Sequence, residues 1–220
     1  MTIHFHREME TIKAQILRLG ALVEEQLFLA IKAVEEFDAE LAQTVVSRDD
    51  RIDQMEVEVE EECLKVMALH QPVAIDLRLL VAVIKINSDL ERIGDMAVNI
   101  AETVSFLKAH EKDSRHGFDF RIMAERTRLL FRKSLDSLVN LDEDMATDVC
   151  ASDDEIDKLH RQMYGLVEER IQQDPTRVGV YLRYLLISRN LERVGDHATN
   201  IAEDVLYMVK GRIVRHNLEV

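Results

Sequence analysis

Tryptophan is absent, proline occurs twice and glycine seven times in 220 residues, and aromatic residues make up only 5% of the chain. Strand-rich folds need frequent turns and β-branched alternation, and neither is found here. Without large rings the core has to be filled by Leu, Ile, Val, Met and Ala, which is the vocabulary of helix bundles. Long apolar runs are missing too. The most apolar one, Leu77 to Ile86, is cut by Arg78 and Lys85 and is too short to cross a bilayer. The opening residues, Met1 to His6, lack the basic stretch and apolar stretch of a secretory leader. Cysteine is scarce: Cys63 and Cys150 lie far apart, have no Cys or His at zinc-finger spacing, and read as small buried apolar residues. These absences predict a soluble cytoplasmic protein.

Positive charge is in short supply as well. Against 42 acidic residues stand 28 basic ones, for a net charge of −14. A hold on nucleic acid depends on Lys and Arg neutralising phosphates, so DNA and RNA are disfavoured, and anionic lipid for the same reason. Metal cations are the natural small partners of such a surface. No Gly-rich phosphate loop follows a strand, and no Ser/His/Asp or Cys/His set is recognisable, so the chain reads as a non-enzyme.

What the sequence does contain is a repeat. The segment Leu90-Glu-Arg-Ile-Gly-Asp-Met-Ala-Val-Asn-Ile-Ala-Glu102 returns as Leu191-Glu-Arg-Val-Gly-Asp-His-Ala-Thr-Asn-Ile-Ala-Glu203, with ten of thirteen positions identical at an offset of 101. Upstream, Asp49-Asp-Arg-Ile-Asp53 returns as Asp153-Asp-Glu-Ile-Asp157 at an offset of 104, and Asp38 aligns with Asp142 at that same offset. The halves are copies of one unit.

Each unit reads as three helices, giving an all-α fold of two tandem antiparallel three-helix bundles with six long helices. In the first unit, apolar spacing predicts helices from about His6 to Val46, from an N-cap at Asp49 or Asp50, and from about Ile75 to Ala109 beyond a break at Pro72. The second repeats this as Phe120 to Thr147, Asp154 to Gln172 and Thr176 to Lys210. The polar segment 111–117 is predicted to link a unit at 1–110 to a unit at 118–220.

Glu91, Asp95, Asn99 and Glu102 are spaced four, four and three, and fall within about 80° of helical arc. Leu77 and Ile84 project the same way, so the row is expected to prolong a packing face. A short turn at Pro72 makes its flanking helices antiparallel, and residues equidistant from it lie level. Asp53 and Glu91 are both nineteen positions from Pro72, and Asp49 and Asp95 both twenty-three. In the second half Asp157 balances Glu192, and Asp153 balances Asp196, about a point beside Pro175. Four carboxylates per unit are thus predicted level on helices about 8–10 Å apart. Like charges that close repel, and removal from water adds to the cost, so the arrangement asks for a cation or an arginine.

The metal reading assigns Asp49, Asp53, Glu91, Asp95, Asp153, Asp157, Glu192 and Asp196 to divalent or trivalent ions. All-oxygen ligation suits magnesium, manganese or iron, and zinc is accommodated. The bland alternative is a solvated acidic face balanced by Arg92 and Arg193. Gly94 and Gly195, mid-helix, mark either a close approach of the neighbouring helix or tolerated glycines. Asp157-Lys-Leu-His160 resembles half of a ferritin-like pair, but Glu56 stands in the first copy, which argues against a ferroxidase. His197, where the first copy has Met96, is an extra ligand or an ordinary helix histidine.

With two (E/D)xxxD segments and a doubled Leu-Glu-Arg-x-Gly-Asp…Asn-Ile-Ala-Glu signature, the chain resembles the PhoU family over nearly its whole length. That resemblance implies a homodimeric negative regulator of the phosphate regulon that modulates phosphate uptake. It implies action with the Pst phosphate ABC transporter and a PhoR-type sensor kinase at the inner face of the cytoplasmic membrane, without membrane insertion. It also implies multinuclear metal clusters on the paired acidic motifs, which here are the eight carboxylates just named. A metal-free helical adaptor and, less favoured, a carboxylate-metal enzyme are the rival readings.

Overall fold

A computed structural model describes residues 3–110, 118–152 and 154–212. Among them the regular structure is helical throughout: α1 (Ile3–Glu36), α2 (Ala39–His70), α3 (Ile75–Ala109), α4 (Arg121–Asn140), α5 (Glu143–Ser152), α6 (Asp154–Gln173), one turn of 3-10 helix (Pro175–Arg177) and α7 (Val178–Lys210). The all-α architecture of two repeated three-helix units is as the sequence predicts. Helices α5 and α6 together take the place that α2 has in the first unit. Asp153, between them, and the expected linker 111–117 lie outside the described residues.

The first turn of each unit is not where the periodicity puts it. Helix α1 ends at Glu36, ten residues before the expected Val46, and α4 ends at Asn140 rather than Thr147. Phe37 and Leu141, equivalent at the offset of 104, both adopt the left-handed conformation, with φ of 53° and 49°. Asp38 N–H then bonds back to the Ala33 carbonyl at 2.9 Å, and Asp142 N–H to that of Ser137 at 3.0 Å, which closes each helix end. The same aspartates open the next helix. Asp38 Oδ1 accepts from the backbone N–H of Glu40 and Leu41, both at 3.0 Å, and Asp142 Oδ1 from that of Met145 at 2.9 Å. Asp49 and Asp50 are therefore not caps; they lie well inside α2.

The core is aliphatic, as composition requires. Leu19, Val23, Leu27, Ala30 and Val34 of α1 meet Ile52, Val59, Cys63 and Val66 of α2 and the Val83, Ile86, Leu90, Ile93, Ala97, Ile100 face of α3, all buried. One continuous cluster extends from this set through Phe131, Leu138, Ile156, Ile187, Leu191, Val194 and Ile201 of the second unit. Helices α3 and α7 make the most extensive contact in the molecule, so the two units share a core. None of the described helices is long and apolar enough to cross a membrane.

Candidate functional site

Two side-chain contacts fix the register on which the acidic rows depend. In the first unit Asn87 Nδ2 donates to the backbone carbonyl of Glu56 at 2.8 Å, across the α2–α3 hairpin. In the second, His160 Nδ1 lies 2.9 Å from Ser188 Oγ, across the α6–α7 hairpin. Both contacts join residues nearly equidistant from their turn. One helical turn further on, the same register sets Asp53 level with Glu91 and Asp157 level with Glu192.

Gly94 draws α2 and α3 together at this level. A Cβ there would lie 3.3 Å from Ile52 Cγ2 and 3.6 Å from Asp49 Oδ1. Of the two readings of Gly94, close helix approach is the one the geometry supports. Asp49 is half-buried, and Gln26 Nε2, on α1, donates to its Oδ1 at 2.8 Å.

The carboxylates perturb one another. Burial pushes the Asp49 carboxyl above the ordinary aspartate range, against the Gln26 hydrogen bond, and Asp53 and Asp95 push the same way. Asp53 is raised by burial and then by Asp95. Glu91 is raised by burial and Asp95, with Arg92 opposing. The second copy repeats the pattern: Glu192 is raised by burial and then Asp157, and Asp196 by burial, Glu192 and Asp157. Asp196 is solvent-exposed, yet partial desolvation beside the neighbouring helix is still the largest cause of its shift. Seven of the eight predicted residues thus lie in two mutually interacting sets; Asp153 is outside the described residues.

Arginine covers part of this charge. Arg92 lies 3.5 Å from Glu91 and 3.4 Å from Asp95, and Arg161 lies 3.4 Å from Asp157. These are exposed pairs of the kind worth under about 1 kcal/mol. Among the described residues Asp53, Glu192 and Asp196 have no ion pair. Nor, among those residues, are three His, Cys, Asp or Glu side chains gathered closely enough to hold a metal ion. The donor chemistry suits a hard cation, but among the described residues the side chains are not gathered into a coordinating set. The row also differs from expectation at its ends. Asn99 and Glu102 are exposed, and Leu77, expected to lie on a packing face, is 40% exposed.

Three residues take roles that spacing did not reveal. Asn87 is fully buried, and its Oδ1 has no hydrogen-bond partner among the described residues. His160 is held by Ser188, whose hydroxyl donates to Met123 Sδ at 3.3 Å. His197 turns its Nδ1 to Asp89 of the first unit at 2.7 Å, so that nitrogen is committed to the contact between units.

The PhoU domain family matches this chain over residues 16–104 and 120–205. The chain belongs to the PhoU family. It is 37% identical over 212 residues to a phosphate-specific transport system accessory protein PhoU homolog of Pseudomonas putida, covering 96% of this chain and 83% of that one. PhoU homolog 1 of Thermotoga maritima is 34% identical, with 98% and 93% covered. The crystal structure of PhoU from Pseudomonas aeruginosa superposes with a TM-score of 0.91 at 36% identity, covering 94% of this chain and all of that one. These relatives bear names of accessory proteins, not of enzymes.

Proposed function

We propose that this chain is a negative regulator of phosphate uptake and of the phosphate regulon. It would act as a helical adaptor between a Pst-type phosphate ABC transporter and a PhoR-type sensor kinase. When phosphate is plentiful, the adaptor holds the kinase in its signalling-off state at the inner face of the membrane. What supports the reading is the likeness to phosphate-specific transport accessory proteins over both units, on a chain with no membrane-spanning helix among its described residues. Capture of the tagged chain from phosphate-replete cells, with mass spectrometry of what it retains, tests it. The transporter ATPase and a histidine kinase are expected; retention of neither counts against the adaptor role.

Within that function the paired rows are metal sites. Asp49, Asp53, Glu91 and Asp95 would hold ions in the first unit, and Asp157, Glu192 and Asp196 with Asp153 in the second. The observation that carries this is the doubled register, which sets raised, incompletely paired carboxylates side by side twice. A bound cation supplies compensating charge and reverses the local sign of the surface, which suits it to meet an anionic partner or phosphate. Glu91 and Asp95 would exchange Arg92 for the ion, and Gln26 holds Asp49 in place for it.

A metal-free adaptor is the second reading. It is favoured by the Arg92 and Arg161 pairs and by the separation of the side chains. Elemental analysis of protein purified without chelator separates the two.

A further inference from the structure

The two units meet through α3 and α7. As residue number rises on α3 from Lys85 to Asp89, its partner on α7 falls from Asp204 to Asn200 and His197, so the helices run antiparallel. An antiparallel contact between two copies of one unit has two equivalent edges. The ring contacts respect that equivalence. Phe106 and Tyr207 correspond at the offset of 101, and each lies under a cation from the opposite helix: Arg183 at 4.5 Å from the Phe106 centroid, Lys85 at 5.4 Å from that of Tyr207.

The polar contacts break it. Lys85 Nζ donates to Asp204 Oδ1 at 3.1 Å, and the Asp204 side chain is 2% exposed. Asp89 Oδ1 meets His197 Nδ1 at 2.7 Å and accepts from Asn200 Nδ2 at 3.2 Å. At the offset of 101, the equivalents of Lys85 and Asp204 are Leu186 and Thr103, and those of Asp89 and His197 are Asn190 and Met96. At these positions one edge carries charge and the other carries none; the second edge has instead the Arg183 guanidinium over Phe106.

We propose that these contacts key the interface, so that a first unit accepts a second unit and rejects another first unit. Two second units face to face would set each buried Asp204 against Leu186, and two first units would set Asp89 against Met96 and Lys85 against Thr103. A buried carboxylate deprived of its cation is strongly disfavoured, whereas a group exposed to water loses little. The partner selected is the unlike half of this same protein fold, and the partner excluded is a like half from a second chain. The key explains why His197 and Met96 differ between otherwise similar signatures. It stands whether or not metal binds.

The test refolds the full chain from denaturant over a range of concentrations, followed by size exclusion with light scattering and far-UV circular dichroism. The wild type should return to the mass of its native form at every concentration. The quadruple variant Lys85→Leu, Asp204→Thr, Asp89→Asn, His197→Met makes the two edges alike at the positions of these polar contacts. It should retain its helicity while forming larger species whose share grows with concentration. A quadruple variant that retains its helicity and refolds like the wild type overturns the proposal. If the quadruple variant loses its helicity, the reversed pair Lys85→Asp with Asp204→Lys decides. Recovery of the native mass by the pair, where Lys85→Asp alone fails, supports the key; equal failure of single and double variants overturns it.

Discussion

The side-chain amide of Asn87 donates to the backbone carbonyl of Glu56 at 2.8 Å, from a fully buried position on α3 to the facing turn of α2. A side-chain donor on a main-chain acceptor pins one helix against the other at a single height. A slip of one turn would carry Asp53 past Glu91 and Asp49 past Asp95. The second unit uses His160 and Ser188 at the matching place, so the register recurs with different chemistry.

Glycine at position 94 sits in a tight helix contact, and glycine at 165 does not. No atom lies within 4 Å of a Cβ built on Gly165, while one on Gly94 meets Ile52 at 3.3 Å. Gly165→Ala should stabilise by about 1 kcal/mol through helix propensity, a rise of roughly 2–4 °C in midpoint for a chain of this size. Gly94→Val should destabilise by about 1–3 kcal/mol, because it overpacks the α2–α3 seam. Thermal melts of both variants check the contrast.

Asp38 and Asp142 each terminate one turn and open the next helix. Alanine at either position should cost about 1 kcal/mol, and asparagine much less, because its side-chain oxygen can still accept from the backbone N–H groups. Denaturant titration with an unchanged slope is the measurement.

The raised carboxylates set a pH dependence with a definite sign. A folded-state pKa above the unfolded value means that the folded chain binds more protons, so its contribution to stability is present at low pH and lost as pH rises through the raised value. For Asp49, Asp53, Glu91, Glu192 and Asp196 that window begins in the ordinary carboxylate range and extends above it. In chelator, Asp49→Asn should be more stable than wild type near neutral pH by less than about 1 kcal/mol after solvent screening. The advantage should vanish when both are melted at about pH 3, below the ordinary aspartate value. The substituted amide keeps an oxygen for Gln26, so loss of that hydrogen bond does not confuse the comparison.

Much of this architecture was legible because an antiparallel hairpin converts distance from its turn into height. Pro72 and Pro175 mark the turns, and the levels of Asp53 with Glu91 and of Asp157 with Glu192 follow by counting. The first turn of each unit escaped because Phe37 and Leu141 occupy the left-handed conformation where glycine is usual, so no small residue or proline announced the break. Asp38 could pass as one more polar position in a long helix, while Asp49 and Asp50 looked like a cap. Whether level carboxylates turn their oxygens toward a common point depends on rotamers and neighbours such as Arg92, which spacing does not specify. The pairing of His197 with Asp89 joins separate units, and no periodicity within either one encodes it.

Elemental analysis of the chain purified without chelator, followed by calorimetric titration of the stripped protein with Mn²⁺ or Fe³⁺ at neutral pH, addresses the acidic rows most directly. Stoichiometric transition metal in the purified protein and saturable heat on titration are the expected results. Both should be lost when Glu91→Gln and Glu192→Gln are combined in a variant whose helicity is unchanged. Metal-free protein that gives no heat with either ion would contradict the metal reading.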